Sequence, residues 1–238
     1  MLTIGLTGSI AMGKSTASKL FAEAGIPLND SDAVVHDLYT GEAAPLVDTA
    51  FPGTMKDGAV DRHELGRQLA LDPDGFKRLE AIVHPLVRQR EAEFLARQRA
   101  AGAEMVLLDI PLLFETGAEE RVDVIVVVSA DPQIQRQRVL ARPGMTEEKF
   151  DMILSRQTPD AEKRRRADYL IDTSQKIAVT KERVLAIVAD LKMRIAKGRF
   201  PGMREIIFDT ETTGLDNRAD RIIEIGGIEL STISPQAT

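Results

Sequence analysis

Residues 5–16 read GLTGSIAMGKST and follow directly on the apolar start MLTI. After them, KSTASKLFAEAG has the pattern of a helix closed by Gly25, and IPLND reads as a second short strand. Gly8, Gly13, Lys14 and Ser15 fit G-x-x-x-x-G-K-[ST]. Each position has a physical task. The glycines permit a tight loop whose backbone N–H groups turn inward onto phosphate oxygens. The helix starting at Gly13–Lys14 adds its positive dipole end. Lys14 reaches the β- and γ-phosphates, and the Ser15 hydroxyl is a ligand for Mg²⁺. With Ala11, Met12 and Thr16 these residues form the expected ATP-binding loop. The competing reading is an accidental match in a surface loop. A strand before it and a helix after it are the context that phosphate binding requires.

The order strand, loop, helix, strand opens a βαβ unit, and the rest of the chain continues it. Strands are expected near residues 2–8, 26–30, 105–109, 122–128 and 168–172, alternating with helices. The run RVDVIVVVS is rich in β-branched valine and isoleucine, as in a strand covered on both faces. The expected fold is α/β, a three-layer phosphate-loop NTPase type with a five-stranded parallel sheet. A helix-rich, charged stretch at about 61–103 reads as an inserted helical layer, and about 138–160 as a helical lid turning through Pro143–Gly144. Ile177–Lys197 reads as a last helix with Ile177, Val184, Val188, Leu191 and Ile195 on one stripe.

Bulk composition narrows the function. The chain has 238 residues, 43% hydrophobic and 29% charged, with a formal net charge of −6. That balance argues against a general nucleic-acid or membrane-surface binder. No cysteine is present, which removes disulfides, thiol catalysis and cysteine metal sites. The first residues look like a strand and not a leader, so a cytoplasmic protein is expected, a monomer or weak oligomer, with no membrane or nucleic-acid partner.

Among nucleotide-binding proteins, a GTPase should carry an Asn-Lys-x-Asp-like base reader, and none is present. A hydrolysing ATPase usually ends an apolar strand in Asp-Glu. Here Asp109 ends such a run, but Ile110 follows it. A small-molecule kinase needs neither. It needs an acceptor site, a base beside the acceptor hydroxyl and cationic groups that balance phosphoryl charge. In NDSDAVVHDLY, Asp30 and Asp32 stand at the carboxyl end of the second strand, where ligands gather in open α/β sheets. The competing reading is that one of the pair simply caps the next helix. Asp32 is the expected base and water-mediated magnesium partner, and Asp30 the structural one. Arg138 and Arg142, spaced one helical turn apart, are expected to clamp transferring charge. The KRRRA cluster at Lys163–Ala167 reads mainly as a solvated face. His84, before Pro85, is a candidate acceptor contact; His36 and His63 are weaker ones.

GLTGSIAMGKST, DSDAVVH, FPGTMKDGAVDRHELG, LEAIVHPLV, DIPLLFE and QRQRVLAR…ILSRQ follow one another in one order. Together they resemble the dephospho-coenzyme A kinase family over Met1 to about Arg199. The resemblance implies transfer of the ATP γ-phosphoryl group, with Mg²⁺, to the ribose 3′-hydroxyl of dephospho-coenzyme A, the last step of coenzyme A biosynthesis. The alternative reading is another phosphate-loop kinase of a nucleoside, nucleotide or small metabolite. By position, the resemblance makes Asp32 the catalytic aspartate and Arg138 and Arg142 the lid arginines. Lys14 and Ser15 become the phosphate and magnesium residues, His84, Pro111 and Leu112 face the acceptor, and the helical insertion at about 61–103 becomes the acceptor-binding part. Two departures stand out. Ser9 and Ala11 occupy positions where glycines are common, and DTSQ (Asp172–Gln175) replaces a frequent Asp-Asn-x-Gly.

After GRFPG, the stretch Met203–Leu230 reads as a fresh start. IIFDTETTGLD resembles the first motif of an epsilon-type proofreading exonuclease of bacterial DNA polymerase III. Asp209 and Glu211, two apart on a strand, would share one face, a spacing that suits two-metal chemistry. The fragment is too short to bury a core, and the family's further motifs would lie past Thr238. Residues 200–238 are therefore expected to be a linker plus a truncated, inactive fragment, not an independent domain, arising as a run-on.

Overall fold

The computed structural model describes residues 1–198 and, as backbone only, two strands between 205 and 230. The chain divides into two compact units, Met1–Lys192 and Met193–Thr238. The first is built on β1 (Leu2–Thr7), whose six residues are all buried. Burying leucine or isoleucine side chains of this kind contributes roughly 1.5–3 kcal/mol each. The loop of residues 8–13 leads into α1 (Lys14–Glu23), which buries Ala17, Leu20 and Phe21. Gly25, at φ +84°, turns the chain away from the helix end. The short β2 (Leu28–Asp30) follows.

The chain then builds a helical layer from α2 (Ser31–Tyr39), α3 (Ala43–Ala50), a hairpin of β3 (Met55–Lys56) and β4 (Ala59–Val60), α4 (Arg62–Leu71) and the long α5 (Gly75–Ala100). Leu38, Ala43, Val47, Phe51, Val60, Leu65 and Leu69 form its apolar core. The layer therefore draws on α2 and α3, ahead of the boundary at 61 read from the pattern. The hairpin turns on Asp57 and Gly58, both at positive φ (52° and 81°), the geometry favoured by an Asp-Gly pair.

Returning to the sheet, the chain forms β5 (Met105–Asp109), β6 (Val124–Ser129), α6 (Pro132–Leu140), α7 (Glu147–Ser155), α8 (Asp160–Arg165), β7 (Tyr169–Asp172) and α9 (Ile177–Ala196). The sheet order is β2-β5-β1-β6-β7, and every pairing is parallel. The five-stranded parallel α/β sheet expected from the strand pattern is present. β1 is flanked by β5, which leads toward β2, and by β6, which leads toward β7. The loop after β1 thus opens at the switch point, where connections diverge and leave a crevice.

Two packing expectations need correction. Along α9 the buried residues are Thr180, Val184, Ile187, Val188 and Leu191, whereas Ile177 is exposed. Thr180, not Ile177, is the first buried position of the helix. Lys163 is not on a solvated face: it is fully buried, with Nζ 2.8 Å from Glu115 Oε1. Arg164, Arg165 and Arg166 beside it remain exposed. The second unit contains β8 (Glu205–Thr212) and β9 (Ile222–Leu230), paired antiparallel with an irregularity between Glu211 and Thr212. The carboxylates of Asp209 and Glu211 lie outside the described residues. No described helix is long and apolar enough to cross a membrane.

Candidate active site

The loop after β1 is shaped by close backbone contacts. A Cβ on Gly8 would stand 2.4 Å from Val128 Cγ2 and 2.7 Å from the Val128 carbonyl oxygen, so only glycine fits. Gly13 sits at φ +86°, with the Thr173 side chain against its open face. Ala11 is the exceptional residue, at φ +59°. A left-handed conformation costs a residue with a Cβ roughly 1–2 kcal/mol, which locates the consequence of having alanine there. Ser9 is buried and needs no positive φ. Met12 lies beneath the loop, where its sulfur accepts the Ala130 N–H at 2.9 Å and its carbonyl accepts the Thr173 hydroxyl at 2.8 Å.

Lys14 Nζ donates to Asp109 Oδ1 in an ion pair. The carboxylate is 2% exposed. Burial pushes the Asp109 carboxyl above its ordinary range, and Lys14 pulls against that rise without cancelling it. The two side chains meet because Asp109 ends β5 opposite Leu6, next to the end of β1.

Two cavities adjoin here. One, of about 600 Å³, is lined by the loop from Gly8 to Thr16 together with Arg138, Arg142, Gln157 and Thr173. The other, of about 440 Å³, is more apolar and is lined by Tyr39, Phe76, Val83, His84, Leu112 and Arg121, among others. Asp32 and Pro111 border both. Arg138 donates to the Thr173 carbonyl at 2.7 Å and to its hydroxyl at 3.2 Å. Thr7 donates its hydroxyl to the Pro111 carbonyl at 3.1 Å, tying the end of β1 to the PLLFE turn.

A family model described as dephospho-CoA kinase matches residues 2–179. The chain belongs to the dephospho-CoA kinase family. A dephospho-CoA kinase of Rhizobium etli is 85% identical over 200 residues, covering 84% of this chain and 98% of the relative. A solved structure from Thermus thermophilus is 36% identical with a TM-score of 0.70, covering 80% of this chain and 97% of that one. A dephospho-CoA kinase structure from Campylobacter jejuni shares the fold at 24% identity and a TM-score of 0.62, covering 82% and 98%.

The kinase brings most of the residues expected from sequence to these two cavities. Lys14, Ser15, Thr16, Ala11, Met12, Arg138 and Arg142 border the first, His84 and Leu112 the second, and Asp32 and Pro111 both. Arg142 lies just past α6, in its closing turn, and not on the same helix as Arg138. His36 stays outside both cavities, near Arg62 at 3.3 Å, and so does His63. Asp30 caps α2 by accepting the N–H groups of Asp32 and Ala33 at 2.9 and 3.2 Å. Replacing Asp30 with alanine should lower stability by about 1 kcal/mol in a urea melt while leaving turnover within a few-fold of wild type.

Three residues near the site were absent from the sequence-based set. Asp109 had served only to argue against a hydrolase, although a carboxylate ending the strand beside the phosphate loop was a usable signal. Gln157 and Thr173 lay inside the quoted stretches ILSRQ and DTSQ, but their contacts reach far along the chain and no local pattern marks them.

Proposed function

We propose that Asp32, at the wall shared by the two cavities, accepts the proton of the ribose 3′-hydroxyl of dephospho-CoA as ATP donates its γ-phosphoryl group. The shared wall is the observation that carries this reading. A base serving both substrates must stand where the donor and acceptor sites meet. The hydroxyl oxygen bonds to the γ-phosphorus, the bond to the β-phosphate oxygen breaks, and ADP and coenzyme A leave. Backbone N–H groups of the loop and the Lys14 ammonium hold the phosphates, and Arg138 and Arg142 offset charge on the transferred group. The apolar cavity around His84, Pro111 and Leu112 takes the acceptor.

Among the described residues no cluster of three or more acidic, histidine or cysteine side chains is arranged to hold a metal. That suits Mg²⁺, which keeps several waters and takes few protein oxygens beside substrate phosphates. Ser15, at the start of α1, and Asp32 through water are the residues we assign to it. When bound, the ion neutralises phosphate charge.

This reading goes with a cytoplasmic protein, a monomer or weak oligomer, with no nucleic-acid partner. We read residues 200–238 as an inactive run-on. In support, about 200 residues of the chain match 98% of the Rhizobium etli relative.

A panel of acceptors with ATP and Mg²⁺ tests the function. Turnover with dephospho-CoA alone is expected. Turnover with nucleosides or small metabolites in its place would favour the alternative phosphate-loop kinase.

A further inference from the structure

Two glutamines from opposite roots of the lid segment meet on one residue of the phosphate loop, Ile10, and hold the two peptide groups that flank its Cα. Gln135, on α6 and 5% exposed, donates its Nε2 to the Ile10 carbonyl at 2.8 Å. Gln157, just past α7, accepts the Ile10 N–H on its Oε1 at 3.1 Å. The residue after it, Thr158, donates its N–H to Glu115 Oε1 at 2.7 Å. Glu115 closes the PLLFE turn that walls the acceptor cavity, and the same oxygen lies 2.8 Å from the fully buried Lys163 ammonium. Burial pushes the Glu115 carboxyl up, but Lys163 and the Thr158 N–H outweigh that and leave it below its ordinary value, so it stays charged and paired.

With the peptides before and after Ile10 each held by a glutamine, the φ and ψ of Ile10 cannot change without moving one of the two partners. The step Gln157–Thr158 bonds forward to the phosphate loop and sideways to the acceptor wall. We propose that Gln157 is a positioning residue that, with Thr158 and Glu115, links the nucleotide and acceptor cavities, so that each substrate strengthens binding of the other. Gln157 acts through the Ile10 peptide and through the lid root it belongs to. The proposal rests on the assignment of the two cavities as donor and acceptor sites.

The experiment measures affinity for a non-hydrolysable ATP analogue by calorimetry, with and without saturating dephospho-CoA. Wild type should bind the analogue at least about fivefold more tightly when the acceptor is present. In Gln157→Ala that ratio should fall toward one, with kcat lowered about three- to tenfold, as for a lost hydrogen bond. The melting temperature should fall by no more than a few degrees, as for one lost hydrogen bond. A merely structural role would lower the melting temperature or the active fraction and leave the ratio intact. Glu115→Gln should also reduce the ratio. If that variant does not fold, because Lys163 loses its buried partner, Gln157→Ala alone decides. A wild-type ratio of one, or an undiminished ratio in folded Gln157→Ala, would overturn the coupling while wild-type phosphotransfer to dephospho-CoA still upheld the kinase reading. Absence of that wild-type phosphotransfer would overturn both.

Discussion

Lys14→Ala should lower phosphotransfer about a thousandfold, the loss seen when a preorganised donor facing developing charge is removed. The ammonium has two partners to serve, the phosphates and the buried carboxylate of Asp109. Removing it therefore also affects folding. Asp109 already has a raised carboxyl pKa, from burial first and from the nearby charge of Asp30, with Lys14 the principal opposing influence. Without Lys14 the carboxyl should rise further. The folded chain then holds a proton that the unfolded chain releases at lower pH. Stability of the variant should be highest at acidic pH and fall as pH rises through the window above the ordinary carboxylate range. Melting curves at pH 5 and pH 8 test the sign. A variant equally stable at both, or one with wild-type turnover, would remove the pairing or the phosphate role from Lys14.

Asp32→Asn should reduce kcat by about a thousandfold, within the range of general-base contributions. It should leave ATP affinity within about twofold, because the amide keeps the size of the carboxylate and the loop N–H groups, Lys14 and Ser15 that we assign to the phosphates and the ion are unchanged. The change also removes a negative charge from the first turn of α2, which costs roughly 0.3–1 kcal/mol. The contrast with Asp30→Ala is the useful part. Two aspartates separated by one residue should divide into a structural variant that melts earlier and still turns over, and a catalytic variant that melts almost normally and does not. Retained turnover in Asp32→Asn would end its assignment as the base.

The phosphate loop and the parallel sheet were legible because their physics is local. Gly13 and Gly25, both at positive φ, and the β-branched run at Val124–Val128 act through their own backbone preferences and those of near neighbours, whereas the physical demand on Gly8 comes from Val128 on another strand. The Asp57–Gly58 hairpin was equally legible from its turn pair, yet it lay between the expected β2 and the helical stretch and was not read. Lys163 shows the opposite case. Its neighbours are arginines, and a run of cations is usually solvated, so nothing nearby signals burial. Its partner Glu115 lies on another element. Asp109 and Lys14 are likewise brought together only by the pairing of β1 with β5.

The sequence by itself determined a phosphate-binding loop between a strand and a helix, a parallel α/β sheet, and which aspartates, arginines and histidine were available for chemistry. Only the tertiary structure decided that Asp32 and Pro111 stand at a wall common to two cavities, that Lys14 shares its charge with a buried carboxylate, and that Ile10 is held by glutamines on either side of the lid segment. Loop and strand propensities depend on residues a few positions apart. A shared wall, a buried ion pair or a loop residue held on both sides joins residues far apart along the chain, and only the strand order and helix packing bring these within reach.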